Sequence, residues 1–307
     1  MPTANAVNII DVTARDGLQN ESVMFSTEEK ITLIAKAVAA GAKRLEVASF
    51  AHPKYVPQMA DAEAVIAGLA QDDAITYIGL AMNERGVDRA LKTAIDEVGL
   101  VVVATDTFAQ KNQNQTRDGS VEIACNLIDK VKQAGRRVNV TIAASFGCPF
   151  EGEVDPNIVL AMSQRLAAAC PDEISLADTI GVGNPWQVGG LFLKVSQALP
   201  DMSLRAHFHN TRNTGLANIY AALEAGVRTF DVSIGGIGGC PFAPAATGNV
   251  PAEDVVYMLE RNGIDTSMSL EKIISASQWL SQKMAKPLPG MVSRAGGFPQ
   301  NLNQAAE

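Results

Sequence analysis

The sequence is poor in cysteine, histidine, aromatic residues and basic charge. Its four cysteines are spread over 307 residues with no CxxC pair, which indicates neither a zinc ribbon nor a disulfide framework and is typical of a reducing compartment. The 25 Lys and Arg residues are outnumbered by 33 Asp and Glu residues, giving a formal net charge of −8. This balance opposes binding to nucleic acid, which needs a concentrated basic surface.

Long hydrophobic runs are also missing. No apolar stretch approaches the roughly 18 residues of a membrane span, and the N-terminus has neither a basic flank nor the apolar region of a signal peptide. We therefore expect a cytoplasmic protein with no membrane partner. Hydrophobic residues still make up 47% of the chain and charged residues 19%, which is enough apolar material for a packed core.

The chain does contain a regular alternation of short β-branched runs and amphipathic helical patterns. The strand candidates are 7–12, 44–49, 75–80, 98–104, 138–143, 173–177, 204–209 and 229–234. Helix patterns lie near 27–40, 59–70, 84–95, 119–134, 156–169, 185–198, 213–225 and 252–262. One helix after each strand predicts parallel pairing with right-handed crossovers. Eight such units favour a closed (β/α)8 TIM barrel over an open doubly wound sheet, and no GxGxxG marks a dinucleotide site after the first strand.

No Pro/Ser-rich linker divides the chain, so we predict a single TIM-barrel domain over residues 1–307. The barrel is expected at about 5–265, with an additional C-terminal helix and a fraying polar tail in 266–307. Two connections are long, 105–119 and the glycine-rich stretch 235–251. Long loops in compact domains are commonly lids or ligand contacts.

A metal site is predicted at the carboxyl ends of the strands, where TIM barrels build their active sites. His207 and His209 are two residues apart on one strand, so both imidazoles face the same side. Asp16, after the first strand, would complete a two-His, one-carboxylate set, and the amide oxygen of Asn249 would add a hard ligand. Such ligands favour Mg²⁺ or Mn²⁺, with zinc as the alternative ion. The competing interpretation is a pair of structural histidines.

Further chemistry-bearing residues lie near the same strand ends. Arg15 directly precedes Asp16 and is suited to stabilising an enolate, or to a structural ion pair with Glu46 or Asp178. Cys240 stands in the glycine-rich loop after the eighth strand. The flanking glycines would let this loop open and close, so that the thiol could act as a proton donor.

Several longer motifs are distributed over nearly the whole chain. They occupy residues 15–21, 49–61, 147–152, 174–183, the histidine pair, 238–243, 248–249 and 253–259. In combination they resemble the 3-hydroxy-3-methylglutaryl-CoA lyase family, part of a metal-dependent lyase and synthase superfamily of TIM barrels. The Ala-Arg-Asp-Gly sequence after the first strand is similar to the lyase version of that superfamily's motif.

The resemblance implies a retro-Claisen cleavage of 3-hydroxy-3-methylglutaryl-CoA to acetoacetate and acetyl-CoA, with His207 or Asp16 as the base. It also implies an acyl-CoA partner, leucine degradation and a homodimer. The implied metal ligands are Asp16, His207, His209 and Asn249; the implied catalytic residues are Arg15, Glu46 and Cys240, supported by Asp178; the substrate-binding candidates are Gln19, Ser49, His52 and Arg212.

The sequence departs from the family pattern at positions that bear on which substrate is cleaved. The family's Ser-Phe-Val-Ser-Pro is Ser-Phe-Ala-His-Pro here, which places His52 near the expected pocket, and Asp-Thr-Tyr-Gly after the histidine pair is Asn-Thr-Arg-Asn, which introduces Arg212. Ala245 replaces a glycine of the lid loop. The nearest alternative is the same chemistry on citramalyl-CoA or a methylmalyl-CoA. Two alternatives from other classes are a ferrous oxygenase and a non-catalytic metabolite-binding barrel.

Overall fold

Eight parallel strands close into a barrel in the computed structural model, which describes residues 5–239 and 248–299. The strands are β1 Asn8–Asp11, β2 Arg44–Ser49, β3 Thr76–Ala81, β4 Glu97–Val103, β5 Arg137–Ala143, β6 Glu173–Asp178, β7 Leu204–Phe208 and β8 Thr229–Val232. They follow one another in chain order around the barrel, and β1 pairs with β8 to close it. The predicted (β/α)8 TIM barrel is confirmed.

Helices surround this barrel and join its strands. They are α1 Thr27–Ala39, α2 Ala62–Ala67, α3 Glu84–Ala90, α4 Asp106–Gln113, α5 Arg117–Gln133, α6 Pro156–Ala168, α7 Pro185–Ala198, α8 Gly215–Glu224, α9 Ala252–Arg261, α10 Leu270–Met284 and α11 Val292–Ala295. A capping box starts α1, because the Ser26 side chain accepts the Glu29 N–H while the Glu29 carboxylate accepts the Ser26 N–H. No helix within the described ranges is both long and apolar enough to cross a bilayer.

Three local features differ from the sequence prediction. A π-helical turn, Thr13–Gly17, follows β1, and α4 lies inside the connection that was predicted to be a long loop. Helix α4 escapes detection because it is polar and buries only Phe108 and Ala109. Part of the expected polar tail forms the short helix α11. The Asp254 carboxylate holds the start of this helix, because it accepts the N–H groups of Met291 and Val292.

The apolar core lies mainly between the strands and the helices, whereas the lumen of the barrel contains both apolar and charged side chains. The apolar lumen cluster contains Ile10, Val12 and Ile78. The rest of the interior contains two linked groups of charged side chains. Together we call them the lumen column. Its members are Arg44, Glu97 and Glu173 at the strand starts and Arg205, Asp231 and Glu46 one layer above. The column leads from the floor of the barrel to its mouth.

Candidate active site

Three potential metal ligands meet at the carboxyl end of the barrel. His207 and His209 alternate along β7 and its continuation, so both rings enter the lumen, and the π-helical turn after β1 brings Asp16 towards them. Asp16 Oδ2 lies 3.6 Å from His209 Nε2 and 4.0 Å from His207 Nε2. One ligand atom from each of the three residues lies within 4.8 Å of the others. This arrangement is a possible site for a metal ion.

Asn249 joins the same cluster from the segment that follows the glycine-rich loop. It pairs with His209 in an antiparallel bridge, and its Nδ2 donates to Asp16 Oδ2 at 2.8 Å and to Ile237 O at 3.1 Å. Its Oδ1 is buried and has no hydrogen-bond partner within the described part of the chain. A buried, unpaired oxygen beside two imidazoles and a carboxylate fits a divalent ion. The four predicted ligands therefore lie together.

A second layer of charge orients His207. Its Nδ1 lies 2.9 Å from Asp231 Oδ2, and Asp231 also accepts hydrogen bonds from the Arg205 guanidinium, one of them at 2.7 Å. Burial disfavours the imidazolium, but the hydrogen bond and charge of Asp231 outweigh it and raise the pKa of His207. With Nδ1 held by Asp231, the Nε2 atom faces Asp16 and the cavity.

Burial lowers the pKa of His209 to about 4, so this ring is neutral at physiological pH and suited to ligation. Burial would raise the pKa of Asp16, but Arg15, the two histidines and the hydrogen bond from Asn249 together outweigh it and hold that pKa well below its usual range. Arg15 donates from Nη1 to Asp16 Oδ1 at 2.6 Å and from Nε to Glu46. The Arg15 guanidinium is thus fixed at the edge of the ligand cluster between two carboxylates.

The described part of the glycine-rich loop passes directly beside the ligands. Gly238 has a φ of +113°, and a Cβ there would lie 2.5 Å from Asn249 Nδ2 and 2.9 Å from Asp16 O. Only glycine combines this backbone conformation with so close an approach. Asn20 Nδ2 donates to Gly239 O at 2.7 Å, which ties the end of this segment to the turn after β1. The predicted proton donor, Cys240, lies outside the described residues.

Asp178 has a different position from the other charged candidates. It is fully buried at the end of β6 and does not line the cavity. Its two carboxylate oxygens accept the N–H groups of Val182 and Gly183, both at 2.9 Å, so it shapes the loop before α7. Burial raises the pKa of Asp178, although these two donors oppose the rise.

A single cavity opens in front of the ligand cluster, and its two sides differ in chemistry. The polar side contains the three possible ligands together with Arg15, Gln19, Glu46, Arg205 and Asp231. The opposite side, which we call the apolar wall, consists of Leu80, Met82, Val101, Val103, Phe108, Ala143 and Ala177. Asn112, Thr141 and Thr179 complete the lining.

The four substrate-binding candidates are divided between this cavity and its surroundings. Gln19 lines the cavity, and its Oε1 is buried without a partner in the described residues. Ser49 is buried outside the lining and accepts the Ala51 N–H at 3.3 Å. His52 is exposed on the loop after β2, and Arg212 is exposed and donates to two backbone carbonyls of the loop after β6.

Two site residues escaped the sequence prediction, Arg205 and Asp231. Arg205 precedes His207 by two positions on β7 and therefore shares its face, which is a signal that the sequence does contain. Asp231 is an isolated charge between apolar residues of β8. A charged residue inside an otherwise apolar strand is expected to have a partner of opposite charge. Only the closed barrel shows that this partner is Arg205.

Comparison with known proteins identifies the family of the chain. Residues 6–280 match the HMGL-like family model. The chain belongs to this family. It is 40% identical over 289 residues to a hydroxymethylglutaryl-CoA lyase of Bacillus subtilis, covering 94% of this chain and 97% of the relative. It is 38% identical to an (R)-citramalyl-CoA lyase of Chloroflexus aurantiacus over 98% of both chains.

A solved structure of an HMG-CoA lyase from Acinetobacter baumannii, in complex with coenzyme A and 3-methylmalate, superposes with a TM-score of 0.93 at 36% identity over 98% of both chains. The HMGL-like family consists of carbon–carbon lyases and is metal-dependent. The present protein is therefore a carbon–carbon lyase, and the two alternatives from other classes do not apply. The ligand cluster provides it with a possible metal site.

Proposed function

We propose that the protein cleaves 3-hydroxy-3-methylglutaryl-CoA to acetoacetate and acetyl-CoA, with Mg²⁺ or Mn²⁺ as the metal ion. The observation that carries this proposal is the placement of Arg15 against the cluster of Asp16, His207, His209 and Asn249. An acyl-CoA substrate is supported by the related lyase whose structure contains coenzyme A.

Asp16, His207, His209 and the amide oxygen of Asn249 would hold the ion. When bound, the ion supplies Lewis acidity that lowers the pKa of the substrate hydroxyl and orients the bond to be cleaved. Asp231 and Arg205 hold the His207 ring in the orientation that this requires. This mixed set of two oxygen and two nitrogen donors, with room for water and substrate oxygens, suits Mg²⁺ or Mn²⁺.

The protein's own groups perform the proton and charge transfers. The C3 hydroxyl proton passes to Asp16, whose carboxylate keeps free lone pairs when one of its oxygens binds the ion. The Nε2 atom of His207, 4.0 Å from Asp16 Oδ2, has a single lone pair, which ligation would occupy. The C2–C3 bond then breaks, leaving the ketone of acetoacetate, and its electron pair forms the enolate of acetyl-CoA. Arg15, held by Glu46, stabilises the negative enolate oxygen.

Protonation of the enolate carbon completes the reaction. We assign this step to Cys240, because the described loop runs beside Asp16 at Gly238 and ends at Gly239, the residue before this cysteine. A thiol delivered by a glycine-rich loop would protonate the carbon after the substrate has bound. Gln19 lines the cavity and would orient the acyl group.

The second candidate function is the same cleavage on citramalyl-CoA. It is favoured by the relative from Chloroflexus aurantiacus, whose identity of 38% differs little from the 40% of the hydroxymethylglutaryl-CoA lyase. Cleavage of citramalyl-CoA would release pyruvate and acetyl-CoA. A methylmalyl-CoA is the third substrate to compare.

The deciding experiment measures kcat/KM on the three thioesters after chelation and reloading with Mg²⁺ or Mn²⁺. We expect cleavage to depend on the metal ion. The highest kcat/KM should be found with 3-hydroxy-3-methylglutaryl-CoA, which releases acetyl-CoA. A higher value on citramalyl-CoA would select the second function, and a lack of cleavage of all three would refute the proposal.

Arg15→Gln tests the enolate step directly. We expect its kcat to fall by about 100-fold or more, since stabilisation of a developing oxyanion contributes at least that much in related sites. Arg137→Gln, a half-exposed arginine at the start of β5, is the matched control and should keep its activity. Equal activity of the two variants would contradict the role of Arg15.

A further inference from the structure

One nitrogen of the Arg205 side chain is left without a hydrogen-bond partner among the described residues, although the side chain is only 1% exposed. Its Nε and Nη2 atoms donate to the two oxygens of Asp231, and Nη2 also lies 3.5 Å from Glu46 Oε2. The unpaired atom is Nη1, which is itself buried. A guanidinium is planar and holds its donors in a fixed fork, so the Nη1 donors point away from the edge that Asp231 occupies.

Two hydroxyl groups share the level of Arg205 in the barrel, and we call Thr141, Ser175 and Arg205 the donor row. Thr141 on β5 lies in register with Ser175 on β6, and Ser175 lies in register with Arg205 on β7. Thr141 and Arg205 line the cavity. Ser175 precedes the lining residue Ala177 by two positions and therefore faces the lumen as well. Its Oγ is buried and likewise has no partner in the described part of the chain.

The donor row is suited to a negatively charged oxygen. Nη1 carries two N–H groups, and each of the two hydroxyl groups carries one O–H. A buried donor of a charged group that stays unpaired costs free energy, so an oxygen acceptor is expected beside the row. A carboxylate forms the strongest hydrogen bonds with a guanidinium, because both partners are charged.

The proposed substrate contains a carboxylate that needs a cationic partner. Among the described residues that line the cavity, the two guanidinium groups belong to Arg15 and Arg205. Arg15 is assigned to the thioester oxygen, which becomes the enolate oxygen. Against the apolar wall, the carboxylate would lose its hydration without replacement. Arg205 Nη1 is therefore the guanidinium donor that remains for it.

The position of Arg205 favours a carboxylate at a particular distance from the reacting carbon. Arg205 precedes His207 by two residues on β7, so the donor row lies about 7 Å from that ligand along the strand. In 3-hydroxy-3-methylglutaryl-CoA, one methylene separates the carboxylate from the carbon that bears the hydroxyl. In citramalyl-CoA, the carboxylate is attached to that carbon directly and stays beside the hydroxyl. The longer acid is thus the one that extends from the ligand cluster towards the donor row.

We propose that Arg205 Nη1 binds the carboxylate of the acyl group and selects thioesters in which one methylene separates this carboxylate from the hydroxyl-bearing carbon. The hydroxyl groups of Thr141 and Ser175 complete the site. This inference rests on the proposed retro-Claisen function, because the bond that is cleaved and the groups that act on it are the same. It adds the group that recognises the part of the substrate that leaves as the ketone. Arg205 then holds Asp231 with one edge and the substrate with the other.

A substrate analogue separates recognition of the carboxylate from the orientation of His207 through Asp231. The wild-type protein is assayed with 3-hydroxy-3-methylglutaryl-CoA and with the analogue whose terminal carboxylate is replaced by a carboxamide of the same shape. Release of acetyl-CoA measures both reactions. We expect kcat/KM to be about 10- to 100-fold higher for the carboxylate, the range for hydrogen bonds to a charged group.

Variants show whether this preference comes from the donor row. Arg205→Lys keeps a cation beside Asp231 but loses the fork, so the preference for the carboxylate should fall to about threefold or less. A disturbed His207 ring alone would slow both substrates equally and leave the preference unchanged. Arg137→Lys, at a half-exposed position that begins β5, is the matched control and should keep the preference of the wild type.

Ser175→Ala gives a test that leaves the pair of Arg205 and Asp231 intact, and it is informative even where the lysine variant does not fold. Removing the hydroxyl should lower the preference for the carboxylate by about 3- to 10-fold. The ratio of kcat/KM for 3-hydroxy-3-methylglutaryl-CoA to that for citramalyl-CoA should fall by a similar factor, because only the longer acid reaches the row.

The outcomes separate this inference from the proposed function. Equal kcat/KM for the carboxylate and the carboxamide in the wild type would overturn the inference and leave the proposed function standing. A preference that persists unchanged in both Arg205→Lys and Ser175→Ala would also overturn it. Failure to cleave either substrate, with citramalyl-CoA also left intact, would refute both.

Discussion

His207 Nδ1 and Asp231 Oδ2 lie 2.9 Å apart inside the barrel, and this contact determines which ring nitrogen faces the cavity. Asp231 is itself held by the Arg205 guanidinium, and all three side chains are buried. The imidazole that approaches Asp16 is thus oriented from behind by a fixed pair of opposite charges. Such outer contacts commonly set ligand orientation and basicity.

Replacing Asp231 with Asn should weaken metal binding more than it changes the fold. We expect the Mn²⁺ dissociation constant to rise by about 10- to 100-fold, because the amide no longer fixes the His207 ring as a carboxylate does. Titration calorimetry measures the constant, and thermal unfolding monitors the structure. Asp88→Asn, on the surface beside Lys130, is the control. Unchanged Mn²⁺ affinity in Asp231→Asn would refute the orienting role.

Asn249→Ala tests whether the unpaired amide oxygen is a ligand. The variant removes Oδ1 together with the hydrogen bond to Asp16, so we expect Mn²⁺ affinity to fall about tenfold or more. Electron paramagnetic resonance of bound Mn²⁺ gives the binding curve. Asn262→Ala, at an exposed position after α9, should bind as the wild type does. Identical curves for both variants would show that Asn249 does not ligate.

Gly238→Ala should disable the site for a steric reason. The new Cβ would lie 2.5 Å from Asn249 Nδ2, and the φ of +113° is unfavourable for alanine. Gly135→Ala is a matched control, because its φ is +71° but nothing lies within 4 Å of the added Cβ. We expect the control to lose about 1 kcal/mol of stability and keep its kcat. The Gly238 variant should lose most of its kcat; equal kcat values would contradict this.

Asp11 should make stability depend on pH. Burial raises the pKa of Asp11 to about 7 from 3.8, although Thr13 donates two hydrogen bonds to its carboxylate. The folded state therefore holds a proton that the unfolded chain has released, so stability falls as pH rises through this interval. The expected loss is roughly 4 kcal/mol between about pH 4 and about pH 7.

Urea unfolding at pH 5 and pH 8 checks this expectation in wild type and in Asp11→Asn, which cannot ionise. The difference in unfolding free energy between variant and wild type should shift in favour of the variant as pH rises. Asp201→Asn, which changes an exposed carboxylate, should show no such shift. A difference that stays constant with pH would exclude Asp11 as the source.

The sequence was sufficient to predict the strands, their order and the convergence of the candidate ligands. Strand β7 shows why, because the spacing of His207 and His209 fixes their common face once a strand is assumed. Asp16 was predicted from the rule that barrel sites form at carboxyl strand ends, and Asn249 from its place in the glycine-rich connection that follows β8. These inferences depend on the spacing of residues within a strand and on their position after a strand, both of which the sequence contains directly.

The remaining features depend on distances across the barrel. Arg205 contacts Asp231 on the next strand, β8, and Glu46 on β2, so these contacts join different strands and no local pattern predicts them. Helix α4 was missed because its stability comes from docking two side chains rather than from a continuous apolar face. Asp178 illustrates a charged residue whose position at a strand end did not bring it to the cavity.

The net charge of the lumen also affects the order in which the metal ion and the substrate bind. The lumen column and the turn after β1 together contain three guanidinium groups and five carboxylates, an excess of two negative charges. These groups are Arg15, Arg44, Arg205, Asp16, Glu46, Glu97, Glu173 and Asp231. One divalent cation carries the opposite charge. An anionic thioester approaching the mouth of the barrel is repelled until that cation is in place, so binding is expected to be sequential, with the cation first.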